Sequence, residues 1–228
     1  MPAWRASYLR TAQLPGVRGK RPAVMLTVCF ANLKPGTGKT TSAVWLAHAF
    51  HEAGHGVLLA DADPAASALQ WADLAGGFPF RVARMDRPDL HRHVSTYARP
   101  DDVVVIDSPQ IEDHAAIAQS AMQAAGEIVM PVAPSPIEIA RSAPMRAEVT
   151  KAGSGARVSV LLNRCIANAN STGDAREALT ELDYDVLSYT VPRLELYAQS
   201  FGGPVPPGDP VFWCIARELL TRAKEPAR

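Results

Sequence analysis

The 228-residue chain is poor in cysteine, and its three cysteines lie far apart. Cys29, Cys165 and Cys214 form no CxxC pair, which argues against a structural zinc site and a disulfide framework and is typical of a reducing compartment. The sequence also lacks an apolar run of the roughly 18 residues that a membrane-spanning helix needs. We therefore predict a cytoplasmic protein with no integral membrane association.

The chain has no net charge of either sign, because 23 Lys and Arg residues balance 23 Asp and Glu residues. The charge is unevenly placed, since residues 1–22 contain basic residues and no acid. Such an arm can contact nucleic-acid phosphates, or it can be an ordinary flexible, solvated tail. We assign residues 1–23 to this basic arm, residues 24–224 to one globular domain and residues 225–228 to a tail.

Internal repeats and low-complexity tracts are also absent, and short apolar runs alternate with helical patterns along the chain. Several of the runs are apolar on both faces, which is typical of parallel strands covered by helices. The predicted fold is α/β: a single-domain, doubly wound, mostly parallel sheet flanked by helices. Strands are predicted over residues 24–31, 57–60, 80–83, 103–106, 127–132, 157–162 and near Val186, and helices over residues 40–53, 65–74, 90–97, 115–125, 135–151, 172–182 and 209–223.

Two helix starts carry specific signals. Ser135 and Glu138 have capping-box spacing, and Pro136 falls at the first helical position. The pair Asp209-Pro210 opens the last helix by the same capping logic.

A Gly-rich turn, KPGTGKTT, follows the first predicted strand and precedes a helix. In this context backbone N–H groups can wrap phosphates, a lysine neutralises charge and a hydroxyl binds magnesium. The standard pattern GxxxxGK[ST] would require glycine at position 33, which is Leu33. The candidate nucleotide-binding residues in this turn are Lys34, Pro35, Gly36, Thr37, Gly38, Lys39, Thr40 and Thr41.

The turn resembles the deviant Walker A motif, KGGxGKT[ST], of the ParA/MinD family of P-loop ATPases, with Pro35 replacing the first glycine of the pair. A proline there removes one backbone N–H. The resemblance implies Mg²⁺ and ATP as cofactors, with Lys39 on the β- and γ-phosphates, Thr40 on the metal and Thr41 near the α-phosphate. It also implies that Lys34 crosses to the partner's phosphates in an ATP-dependent homodimer, which makes Lys34 and Lys39 candidate catalytic residues.

Acidic residues follow two predicted strands, at the edge where the ligands of parallel sheets bind. The segment beginning at Asp61 and Asp63 resembles the family's DxDPQ motif, with Ala65 in place of glutamine. The segment beginning at Asp107 resembles its DxPP motif, with Gln110 in place of the second proline. The resemblance implies that Asp63 orients the lytic water and that Asp61 and Asp107 are outer-sphere magnesium partners. Alone, each aspartate also fits a helix N-cap.

Asn163 and Arg164 end a later predicted strand, where family members use an asparagine to bind the adenine edge. Both are therefore candidate nucleotide-binding residues, although an asparagine after a strand is also a common turn former. The segment Pro131–Pro136 and the run DPAASALQW particularly resemble the small, single-domain, ParF-like plasmid partition proteins.

The resemblance implies an ATPase for plasmid or chromosome partition. Such a protein dimerises with ATP, binds DNA nonspecifically and associates with the nucleoid, and a ParB-like centromere-binding partner stimulates its hydrolysis. The candidate DNA contacts are Arg217, Arg222 and Lys224, each of which also fits an ordinary solvated position.

Other functions remain open. A MinD-like membrane-positioning ATPase would need an amphipathic terminal helix, and residues 211–220 have apolar side chains at helical spacing. An iron-protein-like relative would need paired cysteines, which the sequence does not offer. Three further alternatives stay open: another deviant Walker A ATPase unconnected with DNA segregation, a small-molecule kinase or synthetase of the wider superfamily, and a scaffold that has lost hydrolysis.

Overall fold

A computed structural model describes residues 26–225. The predicted basic arm at residues 1–23 and residues 226–228 of the predicted tail lie outside this range. Within it, the chain forms a seven-stranded sheet in the order β3-β2-β4-β1-β5-β6-β7, with every neighbouring pair parallel. The strands are β1 (Thr27–Phe30), β2 (Gly56–Asp61), β3 (Arg81–Arg84), β4 (Asp102–Asp107), β5 (Glu127–Val132), β6 (Arg157–Leu162) and β7 (Asp185–Val186).

Helices connect the strands and cover both faces of the sheet, as the double-sided apolar runs predict. Alternate residues of β4 show the arrangement, since Val104 and Ile106 belong to one buried apolar layer and Val103 and Val105 to the other. The helices are α1 (Lys39–Glu52), α2 (Ser67–Leu74), α3 (Leu90–Tyr97), α4 (Ile111–Gln123), α5 (Pro136–Ser142), α6 (Met145–Lys151), α7 (Ser171–Glu181), α8 (Glu195–Ala198) and α9 (Pro210–Arg222). The doubly wound parallel fold is confirmed.

Helix α1 is held firmly in one of these layers. Its Trp45 is 1% exposed and contacts the rings of Tyr197 and Phe212 at centroid distances of 4.9 and 5.9 Å. The Trp45 indole N–H donates to the Ser200 hydroxyl at 3.2 Å. Since α1 begins at Lys39, this packing fixes the position of the preceding Gly-rich turn.

The predicted helix over residues 135–151 is wrong in one respect, because two helices, α5 and α6, occupy this range. Pro144 lies between them, where it cannot donate the hydrogen bond that would continue α5. Within the described chain, the Ser135 side chain makes no capping hydrogen bond, whereas the prediction of Pro136 in the first turn is confirmed. Glu138 pairs with Arg141 at 3.0 Å instead of completing a capping box.

Other helix ends also depart from the predictions. Helix α4 begins at Ile111 rather than near residue 115, and it has a kink at His114. The short helix α8 was not predicted. The Asp209 cap is confirmed, because its Oδ1 accepts hydrogen bonds from the backbone N–H groups of Val211 and Phe212 at 3.0 and 2.8 Å.

Candidate functional site

The Gly-rich turn lies between β1 and α1, at the carboxyl edge of the sheet. Gly36 and Gly38 have φ values of 71° and 94°, a region that side chains other than glycine seldom adopt. A Cβ atom on Gly38 would also collide with the Asn163 amide. Both glycines are therefore required by the shape of the loop.

Lys39 is a buried cation in this loop, with 7% of its surface exposed. Its Nζ donates to the Lys34 carbonyl oxygen at 3.2 Å. Burial lowers the pKa of Lys39, and the charges of Asp107 and Asp63 act in the opposite direction. An anion in the loop would supply the compensation that this ammonium lacks.

Strands β2 and β4 are neighbours, and their last residues, Asp61 and Asp107, stand in register. Asp107 is fully buried, and the Thr40 hydroxyl lies near its carboxylate, but neither oxygen accepts a hydrogen bond of ordinary geometry from a described residue. Burial raises the pKa of Asp107 to about 8, and Asp61 adds to the rise, whereas Thr40 and Lys39 oppose it. Two free oxygen acceptors beside the Thr40 hydroxyl fit a hydrated magnesium ion.

The other two aspartates stabilise the loop after β2. Asp61 accepts the N–H groups of Asp63 at 3.2 Å and Leu69 at 2.9 Å, and burial raises its pKa. Asp63 is only half-buried and accepts the N–H of Ala65 at 2.9 Å. The structure thus brings all three predicted aspartates to one edge, and Asp107 has the most unused acceptor capacity.

Lys34 forms an ion pair with Glu112, which the sequence motifs do not predict. Its Nζ lies 2.9 Å from a Glu112 carboxylate oxygen on the first turn of α4. The same turn donates backbone hydrogen bonds to the approach to the loop, from Ile111 to the Asn32 carbonyl and from Glu112 to the Leu33 carbonyl. Lys34 and Glu112 are far apart in the sequence, so the spacing of the motifs could not predict this contact.

The two residues that follow β6 also contact the loop. The Asn163 amide donates to the Thr37 carbonyl at 3.0 Å, and the Arg164 guanidinium donates to the Gly36 carbonyl at 2.7 Å. Both predicted nucleotide-binding residues therefore lie at the site. A cavity of about 250 Å³ opens beside them, lined by residues 34–37, Ala133, Glu138, Arg141 and Arg164.

The three predicted DNA contacts on and after α9 have different surroundings. Arg222 is 15% exposed at its side chain and pairs with Asp185 at 2.5 Å and Glu218 at 2.8 Å. Because those carboxylates already use its donors, we withdraw Arg222 as a phosphate contact. Arg217 lies over the Trp213 ring at 4.8 Å and is exposed, as is Lys224.

Two classes of feature are absent from residues 26–225. No helix in this range has both the length and the apolar character needed to cross a membrane. Nor do three or more His, Cys, Asp or Glu side chains in it form a group that could hold a metal ion. A magnesium ion here would accordingly depend on the Thr40 hydroxyl, phosphate oxygens and water for its inner ligands.

A Gly-rich loop between a buried strand and a helix, on a parallel sheet with acidic strand ends, defines a P-loop nucleotide-binding protein. Residues 28–204 match the family described as the CobQ/CobB/MinD/ParA nucleotide binding domain. The chain belongs to this family.

Individual relatives agree with the family assignment. The "Maintenance of carboxysome distribution protein A" of Gloeobacter kilaueensis is 41% identical over 117 residues, and the match spans only 50% of this chain and 51% of that protein. The Pyrococcus horikoshii septum site-determining protein MinD with Mg-ADP has a TM-score of 0.68 at 21% identity, covering 89% of this chain and 99% of that one. The ATP complex of an McdA variant from Cyanothece has a TM-score of 0.64 at 17% identity, covering 88% and 98%.

These comparisons confirm the ParA/MinD-type nucleotide-binding domain and its fold. Solved relatives contain ATP or ADP, and Mg²⁺ in several of them. The 41% identical relative is named for carboxysome distribution rather than for plasmid partition. The narrower likeness to ParF-like plasmid proteins stays a prediction.

Proposed function

We propose that the chain is a Mg²⁺-dependent ATP hydrolase of the ParA/MinD type, which uses ATP-dependent dimerisation to position a cargo. The proposal rests on two buried groups of one site: Lys39, which is poorly compensated, and Asp107, whose oxygens accept no hydrogen bond of ordinary geometry in the described chain. A Mg-triphosphate would supply an anion to the first and polar partners to the second.

Three residues of the loop would have direct roles in binding. Lys39 would exchange the Lys34 carbonyl for the β- and γ-phosphates, and Thr41 would lie near the α-phosphate. Thr40 would hold magnesium directly, and Asp107 and Asp61 would accept hydrogen bonds from its waters. When bound, the metal neutralises phosphate charge.

Asp63 is the residue that we propose to orient the lytic water. It lies at the same sheet edge as Asp107 but is half-buried, so that its carboxylate can reach solvent. Its Oδ1 is engaged by the Ala65 N–H, which fixes the orientation of the carboxylate and leaves Oδ2 for water.

A substitution of Lys34 tests whether hydrolysis depends on an ATP-bound dimer. We expect Lys34→Ala to bind ATP yet to lose hydrolysis, because the developing charge on the partner's γ-phosphate loses a cation. Calorimetry and phosphate release measure the two properties, with Lys151→Ala as a matched control because Lys151 is exposed and pairs with Glu148 away from the loop. Hydrolysis at the parental rate would remove Lys34 from the mechanism.

We propose that the ATP-bound dimer binds DNA nonspecifically and moves along it. The protein would then associate with the nucleoid when ATP is bound. Arg217 and Lys224 are the remaining candidate phosphate contacts near the end of the chain. A gel shift with unrelated duplex DNA should appear with ATP and disappear with ADP or high salt. Binding that is equal with both nucleotides would contradict coupling between the nucleotide and DNA.

Membrane association is less well supported, because the apolar face of α9 is already used. Phe212, Ile215 and Leu219 are each at most 1% exposed and pack in the core layer that includes Trp45. A helix docked in this way has no free apolar face to place in a lipid interface. ATP-dependent sedimentation with liposomes would overturn this preference.

Two cargoes remain as candidates. The resemblance of the motifs favours a plasmid or chromosome with a ParB-like, centromere-bound partner that stimulates hydrolysis. The name of the 41% identical relative favours a protein assembly as a second candidate. Plasmid-loss rates and the fraction of cells without a nucleoid, both measured with and without the gene, decide between them, since the first candidate is excluded if neither changes.

A further inference from the structure

Two consecutive residues at the end of β6 each donate to a carbonyl of the loop, Asn163 to Thr37 and Arg164 to Gly36. We propose that Asn163 and Arg164 are positioning residues for the P-loop, which act on the phosphate-binding backbone. The inference rests on the proposed function, since it assumes that the loop binds a polyphosphate.

The argument begins with peptide geometry. In a trans peptide, the C=O of one residue and the N–H of the next point in opposite directions across a rigid plane. A donor on the Gly36 carbonyl therefore directs the Thr37 N–H away from β6. The bond from Asn163 to the Thr37 carbonyl does the same for the Gly38 N–H. Two donors that a phosphate would need are oriented before any ligand arrives.

Pro35 increases the importance of this arrangement. Since proline has no N–H, the loop has one donor fewer with which to hold an anion. The contribution of the remaining donors depends on their direction, because hydrogen bonds weaken steeply when they are misaligned. The side chains after β6 hold two of those donors in place.

The local backbone at Arg164 is itself constrained. Its φ is 58°, in the left-handed region that non-glycine residues rarely adopt. The Asn163 Oδ1 accepts the Arg164 N–H at 2.8 Å, so that the two residues brace each other. Gly38 packs so closely against the Asn163 amide that a side chain there would collide. The segment is thus shaped to fit the loop.

Reading the base would require Asn163 to form hydrogen bonds with the adenine edge. One amide hydrogen is used by the Thr37 carbonyl, and Oδ1 is used by the Arg164 N–H. An adenine edge would have to use the second amide hydrogen and the second lone pair of Oδ1, while the other half of the amide stays on the loop. Tripolyphosphate has no base, so that its binding separates the two roles.

The experiment is calorimetry of Mg-tripolyphosphate and Mg-ATP binding to the parent, Asn163→Ala, Arg164→Ala and Arg164→Lys. We expect the two alanine variants to weaken both ligands by the same factor, about five- to tenfold for one lost hydrogen bond. Arg164→Lys keeps a cationic donor and should recover part of the loss. Controls are Asn170→Ala, at the start of α7, and Arg92→Ala, an exposed arginine on α3.

Each outcome decides. Tripolyphosphate binding that is unchanged while ATP binding falls would assign the pair to the base and overturn the inference, as would unchanged binding of both ligands. Thermal melting checks that each variant folds, and if Asn163→Ala does not fold, the exposed Arg164 variants decide alone. A parent that binds neither ligand would instead contradict the proposed function.

Discussion

The two edges of the sheet treat buried charge in opposite ways. At the carboxyl edge, Asp107 is fully buried with both oxygens unpartnered in the described chain, and Lys39 is bonded to a single carbonyl. At the amino edge, the buried Glu127 accepts a hydrogen bond from the Ser159 hydroxyl, and the Ser159 oxygen accepts one from Arg222 at 3.0 Å. The buried charged groups at the carboxyl edge lack polar partners, whereas the buried carboxyl at the amino edge has them in neighbouring side chains.

The difference indicates which edge is built for a ligand. Burial raises the pKa of Glu127, but the Ser159 hydroxyl and the Arg222 and Arg157 charges oppose the rise. A buried carboxylate without such partners costs several kcal/mol when it is charged, and carboxyls of this kind are concentrated at ligand-binding sites. Stability and activity should therefore respond to mutations differently at the two edges.

The largest effect is expected for Asp107→Asn. Hydrolysis should fall about 100-fold, because a neutral amide no longer holds the waters of the metal, as with other lost charge-stabilising contacts. Above about pH 8, where the Asp107 carboxyl carries its charge, the melting temperature should stay level or rise, because an uncompensated charge is removed from the interior. Single-turnover hydrolysis and thermal melting measure both, with Glu127→Gln at the amino edge as the control. A large loss of stability in Asp107→Asn would contradict the comparison.

Arg222→Ala should show the reverse behaviour. Removing the guanidinium leaves Asp185, Glu218 and the buried Glu127 network without their cation, at a cost of about 2–3 kcal/mol in the free energy of unfolding. Mg-ATP affinity should be unchanged. Urea unfolding and calorimetry measure the two quantities. Arg217→Ala, on the same helix but exposed, is the control and should cost less than about 1 kcal/mol. A loss of ATP affinity in Arg222→Ala would show that the edges are not independent.

The smallest effect is expected for Glu112→Gln. Lys34 and Glu112 are 43% and 47% exposed at their side chains, and exposed pairs contribute only about 0–1 kcal/mol. Freeing Lys34 from this pair should therefore lower the ATP concentration needed for dimerisation by up to about fivefold at low salt. Sedimentation velocity over an ATP series measures it, with the exposed Glu177→Gln on α7 as the control. An increase in the ATP requirement would show that Glu112 assists Lys34 instead of competing for it.

Sequence patterns predicted the sheet well because its signals are local. The apolar runs of β4 and β5 are buried on both faces, and such runs have few other uses in a globular domain. The break between α5 and α6 depends on Pro144, which lies inside an otherwise regular helical pattern. The predicted capping box at Ser135 is wrong, because Glu138 pairs instead with Arg141 one turn further on.

Only the part of the site that is made of motif residues could be predicted. Parallel pairing of the strands brings these residues to one sheet edge: the loop, Asp61, Asp63, Asp107, Asn163 and Arg164. Pairings across the fold left no local pattern, so that neither Glu112 opposite Lys34 nor the bonds from Asn163 and Arg164 to loop carbonyls could be anticipated. The ion pair between Arg222 and Asp185 could not be predicted for the same reason.

The strand order has a consequence for synthesis. Strand β1 leads directly into the phosphate loop, yet its two neighbours in the sheet are β4 and β5, which come much later in the chain. On the ribosome β1 therefore has no strand beside it until β4 has emerged, and it lacks its second neighbour until β5 has; such distant pairing is slow to form. Nascent chains that stop before β4 should leave the apolar β1 open to aggregation or to chaperones.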